Sequence, residues 1–115
     1  MTKSNKISQS TPYVVEEALK RIGRNIKIAR LRRGLRLQDV ADRVGISRYV
    51  MSDIEKGKPA TAIAAYIGAL WALRLTDGLH NIADPDADRE GKAHEAIRAP
   101  TTAPKRKPAG LDNDF

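Results

Sequence analysis

The chain has 115 residues, a formal net charge of +7, a sequence isoelectric point near 10.0 and no cysteine. That length leaves room for one compact domain with tails, and the absence of cysteine excludes disulfide scaffolds, thiolate zinc sites and cysteine nucleophiles. Two histidines, His80 and His94, are too few for a zinc site without carboxylates, and the basic balance favours nucleic acid or another polyanion as partner.

Residues 1–11 are polar, carry Lys3 and Lys6, and read as a flexible basic arm without the apolar stretch of a secretory signal. Thr11-Pro12 reads as an N-cap followed by proline in the first turn of a helix, with Glu16 and Glu17 near the positive end of its dipole. Val15, Leu19, Ile22, Ile26 and Ala29 recur every three or four residues down one face of it. Gly23 interrupts that pattern at a cost of about 1 kcal/mol relative to alanine, so the helix is expected to bend or restart there. Seven Lys or Arg stand against two Glu in residues 13–34, mostly off the apolar stripe. Such charge either solvates a helix face or meets phosphate. Arg24 and Lys27 are the phosphate candidates here.

Residues 37–57 carry the pattern around which the rest is arranged. Val40, Ala41, Val44, Met51 and Ile54 have helical spacing on either side of a break at Gly45. Gly45 can take the positive φ that ends one helix, Ser47 can cap the next through the backbone N–H near Val50, and Gly57 can close it. Ala41, four residues before the turn glycine, lets two helices cross at the steep angle of a helix-turn-helix. The second helix of such a motif presents its N-terminal turn and outward face to the major groove, where all four base pairs are distinguishable. Arg48, Tyr49, Ser52 and Asp53 hold the outward positions. Arg48 suits a bidentate contact to guanine, and Tyr49 a thymine methyl or a phosphate. Asp53 can accept from a cytosine amino group, orient a neighbouring arginine or repel wrong bases. Arg36, Ser47, Lys56 and Lys58 complete the candidate phosphate contacts, although neither Arg36 nor Leu37 is a good cap for the first motif helix.

Lys56-Gly57-Lys58-Pro59 marks a loop. Residues 62–73 form a helix that is apolar nearly all round, more than one core face requires, so Tyr66, Leu70, Trp71 and Leu73 are expected at a dimer interface. Thr76-Asp77 can cap a further short helix carrying Leu79 and Ile82, with His80 exposed or at the core edge. The helix-turn-helix domain is thus expected over residues 12–83. Residues 84–99, five acids against three bases, read as a charged and alanine-rich helical extension. Residues 100–115 hold three prolines and Lys105-Arg106-Lys107, the composition of a disordered tail. Its apolar and acidic end resembles a short docking motif, with Leu111 and Phe115 as anchors. No run of apolar residues reaches the roughly 20 needed to span a bilayer, no oriented nucleophile, metal-ligand cluster or phosphate-cradling glycine loop is present, and neither an enzyme nor a cofactor is expected.

At "IKIARLRR" (residues 26–33), Val40-Ala41, Val44-Gly45-Ile46-Ser47-Arg48 and Ile54-Glu55-Lys56-Gly57 the sequence resembles the XRE (phage-repressor and Cro-like) helix-turn-helix family. The resemblance implies an all-α fold, a compact bundle of about five helices, that binds pseudo-palindromic double-stranded DNA as a homodimer. It also implies a structural ion pair between Arg30 and Glu55. Where many members begin the first motif helix with Thr-Gln, this chain has Arg36-Leu37. Further stretches, "YIGALWAL" (residues 66–73), residues 79–86 and residues 110–115, resemble HipB-like antitoxins, which accompany HipA-like kinase toxins. The expected function is therefore a cytoplasmic, nucleoid-associated transcriptional repressor, autoregulatory as the antitoxin of such a pair. A stand-alone repressor and a non-specific basic DNA-binding protein are the alternatives.

Overall fold

The computed structural model describes residues 10–99, so most of the basic arm and the whole 100–115 tail, with Leu111 and Phe115, lie outside the described residues. The described residues form five α-helices and two short 3-10 turns, and no strand: α1 Tyr13–Arg32, α2 Leu37–Val44, α3 Arg48–Lys56, α4 Ile63–Ala72 and α5 Arg89–Arg98, the turns being Leu79–Asn81 and Pro85–Ala87. They divide into two compact units between Asp77 and Gly78. None of the helices is long and apolar enough to cross a membrane.

The first unit holds α1 to α4. Helix α1 packs on α3, α2 on both α3 and α4, and α4 on α3. Their shared core is Ile26, Ala29, Val40, Ala41, Met51, Ile54, Tyr66, Ala69, Ala72 and Leu73, all buried. Each fully buried Ile, Leu or Met here contributes on the order of 1.5–3 kcal/mol. Helix α1 begins one residue later than the proline pattern implies, with Pro12 itself in the N-cap place.

Gly23 does not bend or restart α1, which runs unbroken through it. The glycine is buried because the end of α3 lies directly on it. A Cβ at Gly23 would stand 2.5 Å from the Ile54 carbonyl oxygen and 2.7 Å from that of Glu55. The contact is reciprocal: a Cβ at Gly57 would meet the Leu19 carbonyl oxygen at 2.6 Å and Lys20 Cα at 2.7 Å, and Gly57 has φ +72° as well. The face of α1 toward the core is accordingly Leu19, Gly23, Ile26, Ala29 and Arg30, and Ile22, expected in the buried stripe, is exposed. Periodicity alone could not find this, since glycine counts as no apolar point.

In the second unit the expected helix over Leu79 and Ile82 shortens to the 3-10 turn. It is preceded by Gly78 at φ +90° rather than capped by Thr76 or Asp77. Asp84 accepts from the Asp86 amide at 2.9 Å, and Asp88 accepts from the Gly91 amide at 2.9 Å to open α5. Glycine at 91 leaves room for that cap, because a Cβ there would overlap the Asp88 carboxylate. Apart from the half-buried Gly91, α5 is exposed along its length.

Gly23→Ala should destabilise the domain by about 1–3 kcal/mol through overpacking, in spite of alanine's helix-propensity advantage of about 1 kcal/mol. Urea unfolding followed by circular dichroism measures this. A midpoint equal to or above that of the wild type would contradict the close α1–α3 approach.

Candidate nucleic-acid interface

The α2–turn–α3 segment forms by local rules. Gly45 takes φ +88° and returns its amide to the Ala41 carbonyl at 2.8 Å, which ends α2. The Ser47 hydroxyl accepts from the Val50 amide at 3.1 Å and starts α3. An N-cap of this kind is worth about 1 kcal/mol, and because the Ser47 oxygen accepts there, its proton stays available to donate to a phosphate. Gly57 closes α3 in the left-handed region.

The start of α2 is capped in an unusual way. Arg36 stands at the N-cap, where an arginine side chain has no acceptor to offer, and the Asp39 amide bonds the Arg36 backbone carbonyl at 3.1 Å. Asp39 supplies the other half of a capping box by accepting from the Arg36 amide at 2.7 Å. The same carboxylate takes the guanidinium at 2.8 and 3.2 Å. The hydrogen bond from the Arg36 side chain, then that from its backbone amide, holds the Asp39 carboxyl down to about 2, and Asp39 in turn raises Arg36. Asp39 thus favours this helix start from above its ordinary value of 3.8 and stops doing so as pH falls through about 2. Sequence reasoning does not single out Asp39; its signal is an acid three residues after an N-cap position.

The predicted readers do not share one environment. Arg48 and Tyr49 are exposed, Tyr49 at 72 %, and the Arg48 guanidinium carbon lies 5.3 Å from the centre of the Tyr49 ring, in cation–π range. Ser52 and Asp53 are half-buried. Arg24, Lys27, Lys56 and Lys58 are exposed; Arg36 is exposed too, but paired with Asp39.

Arg30 and Glu55 meet in a buried, two-pronged pair. Arg30 Nε donates to Glu55 Oε2 at 2.6 Å and Nη2 to Oε1 at 3.0 Å. The remaining guanidinium nitrogen, Nη1, donates to the Leu35 carbonyl at 2.9 Å, so one side chain joins α1, the α1–α2 turn and α3. Removing one partner from a buried pair of this kind costs about 3–5 kcal/mol. Both charges are paired inside the fold.

The expected dimer set is corrected by α4. Tyr66 is 6 % exposed and Leu73 1 %; both belong to the domain core and cannot also cover a second chain. Leu70 is half-buried against that core. Trp71 alone of the four is exposed, at 58 %, and it continues a stripe with Ile63 and Ile67 at four-residue spacing. Ile63 and Ile67 escape sequence reasoning because a helix apolar all round gives no periodic signal for which side faces the core. Arg43 escapes it as well: its Nη1 donates to the Ala72 carbonyl at 3.1 Å and satisfies the end of α4.

A family model described as a helix-turn-helix domain matches residues 21–81, just over half of the chain. The chain belongs to the helix-turn-helix domain family. The matched span contains α2, the Gly45 turn and α3 together with the part of α1 that includes Gly23 and Arg30. This helix-turn-helix domain is a DNA-binding one, with α3 as its second motif helix. Among curated proteins and among solved structures nothing matches the chain. Among the described residues no group of three or more His, Cys, Asp or Glu could hold a metal ion.

Proposed function

We propose that this helix-turn-helix protein is a sequence-specific transcriptional repressor without catalytic activity, acting in the cytoplasm at the nucleoid as a homodimer on a pseudo-palindromic operator. The observation that carries the reading is the contrast between the two sides of α3. One side is locked to α1 through Gly23, Gly57 and the Arg30–Glu55 pair, while Arg48 and Tyr49 at the N-terminal turn are exposed, in contact with each other. A helix held rigidly with its first turn exposed is what entry into the major groove requires. Arg48 would read guanine through its O6 and N7, with Tyr49, Ser52 and Asp53 bordering it. Arg24, Lys27, Lys56 and Lys58 would supply the salt-sensitive phosphate contacts. Arg36 contributes less, because Asp39 neutralises it.

Arg48→Ala should weaken binding to an operator selected from a random duplex pool by about 1–3 kcal/mol and relax one base position. Equal weakening on operator and on random DNA would remove Arg48 from base reading, and uniform footprints without a defined site would favour a non-specific basic protein instead.

Dimerisation is assigned to the exposed stripe Ile63, Ile67 and Trp71. Two copies related by a two-fold axis would bury it and set the two α3 helices against half-sites about 34 Å apart. Ile67→Glu should give a monomer in sedimentation velocity, with operator affinity falling while the circular dichroism spectrum stays helical. An unchanged association state would place the interface elsewhere.

The finer form of the proposal is an autoregulatory antitoxin paired with a HipA-like kinase toxin. Its support is sequence resemblance, in residues 66–73, 79–86 and 110–115. Coexpression with the product of an adjacent kinase-like gene should yield a complex, and truncation of residues 100–115 should release it if Leu111 and Phe115 dock there. Absence of any such complex leaves the stand-alone repressor.

A further inference from the structure

The turn after α3 carries the exposed cations Lys56 and Lys58, and its backbone is held from three directions. Gly57 abuts the α1 backbone at Leu19 and Lys20 with no room for a side chain. The Lys58 amide donates to the Asp53 carbonyl at 3.1 Å, which ties the turn to α3. The Lys58 carbonyl accepts from the Tyr66 hydroxyl at 3.0 Å, and from the Thr61 amide at 3.2 Å. Only the Tyr66 bond comes from α4.

Tyr66 is a core residue whose apolar ring phenylalanine would replace without loss of packing. Its hydroxyl reaches past the core to a carbonyl in the turn. A buried phenol needs some partner, yet this one is spent on the residue whose side chain is a candidate phosphate contact. Lysine is a point charge on a flexible stem, and its contribution to a phosphate site depends on where the backbone places it. A turn that is already ordered loses less conformational freedom on binding.

We infer that Tyr66 is a positioning residue for DNA binding: its hydroxyl, by holding the Lys58 carbonyl, fixes the turn from which Lys56 and Lys58 engage DNA phosphates. The inference rests on the DNA-binding reading above and adds to it a residue from outside the motif. It also links the helix that carries the exposed Ile63, Ile67 and Trp71 stripe to the phosphate-binding turn, without Tyr66 itself touching DNA.

The test uses the full chain and a short random-sequence duplex, with fluorescence anisotropy read between about 50 and 200 mM salt. Tyr66→Phe should keep the helical spectrum and weaken binding about three- to ten-fold, the equivalent of one hydrogen bond. Its plot of log affinity against log salt should become shallower by about 0.9 for each phosphate that is no longer neutralised. Replacing Lys56 and Lys58 together by alanine should weaken binding at least as much, and adding Tyr66→Phe to that pair should cost little more. A purely structural role for Tyr66 would lower the unfolding midpoint and leave affinity and salt slope in the folded protein unchanged, which overturns the inference. Additive losses in the triple variant overturn it too. Faster exchange of the Thr61 amide in Tyr66→Phe, measured by NMR at a temperature where the wild type and the variant are folded, reads the loosening of the turn directly; unchanged exchange counts against it. If the wild type binds no duplex at any salt, the DNA-binding reading fails and this inference with it, whereas wild-type binding with an indifferent Tyr66→Phe removes this inference alone.

Discussion

The architecture depends on one close approach, the seating of the end of α3 on the backbone of α1. Two glycines make it possible, Gly23 in the middle of one helix and Gly57 at the close of the other, each sitting where a Cβ would lie under 3 Å from the partner's main chain. The usual separation of packed helices is about 8–10 Å, set by the side chains between them. With none between them at this point, α3 can descend far enough for Met51 and Ile54 to be fully buried and for Glu55 to reach Arg30. The orientation of the exposed first turn follows from that seat.

The ion pair adds direction to the contact. A glycine seat is permissive about rotation, while the two-pronged geometry of guanidinium and carboxylate is not. Arg30 bonds Glu55 through two nitrogens and Leu35 through a third, which also fixes how α1 turns into α2. Desolvating such a pair is expensive, and it is weak evidence for stability in itself. Its effect is to define one arrangement of three segments.

Charge along the chain separates into two kinds on the same basis. Arg30, Arg36 and Arg43 are all engaged within the fold, by Glu55, by Asp39 and by the Ala72 carbonyl. Arg24, Lys27, Lys56 and Lys58 are exposed, and so is Arg48, stacked on Tyr49. A count of basic residues treats these alike. The first group already has partners in the fold, so the net charge of +7 overstates the electrostatic footprint of any one face.

The sequence by itself determined what depends on neighbours a few residues apart. The Gly45 turn, the Ser47 cap and the Gly57 stop follow from local conformational rules, and all are present. The family resemblance added the all-α class, which the described residues show, and the Arg30–Glu55 partnership, which no spacing rule would yield across 25 residues. Tertiary structure alone decided the rest. Gly23 looked like a weakness in α1 and is its contact point, because the reason for a missing side chain lies on another helix. Helix α4, apolar on every side, carried no marker of its inward face; packing against α2 and α3 put Tyr66 and Leu73 inside and left Ile63, Ile67 and Trp71 outside. Periodicity reports that a face is apolar, and only the partners that arrive to cover it determine which apolar residues remain uncovered.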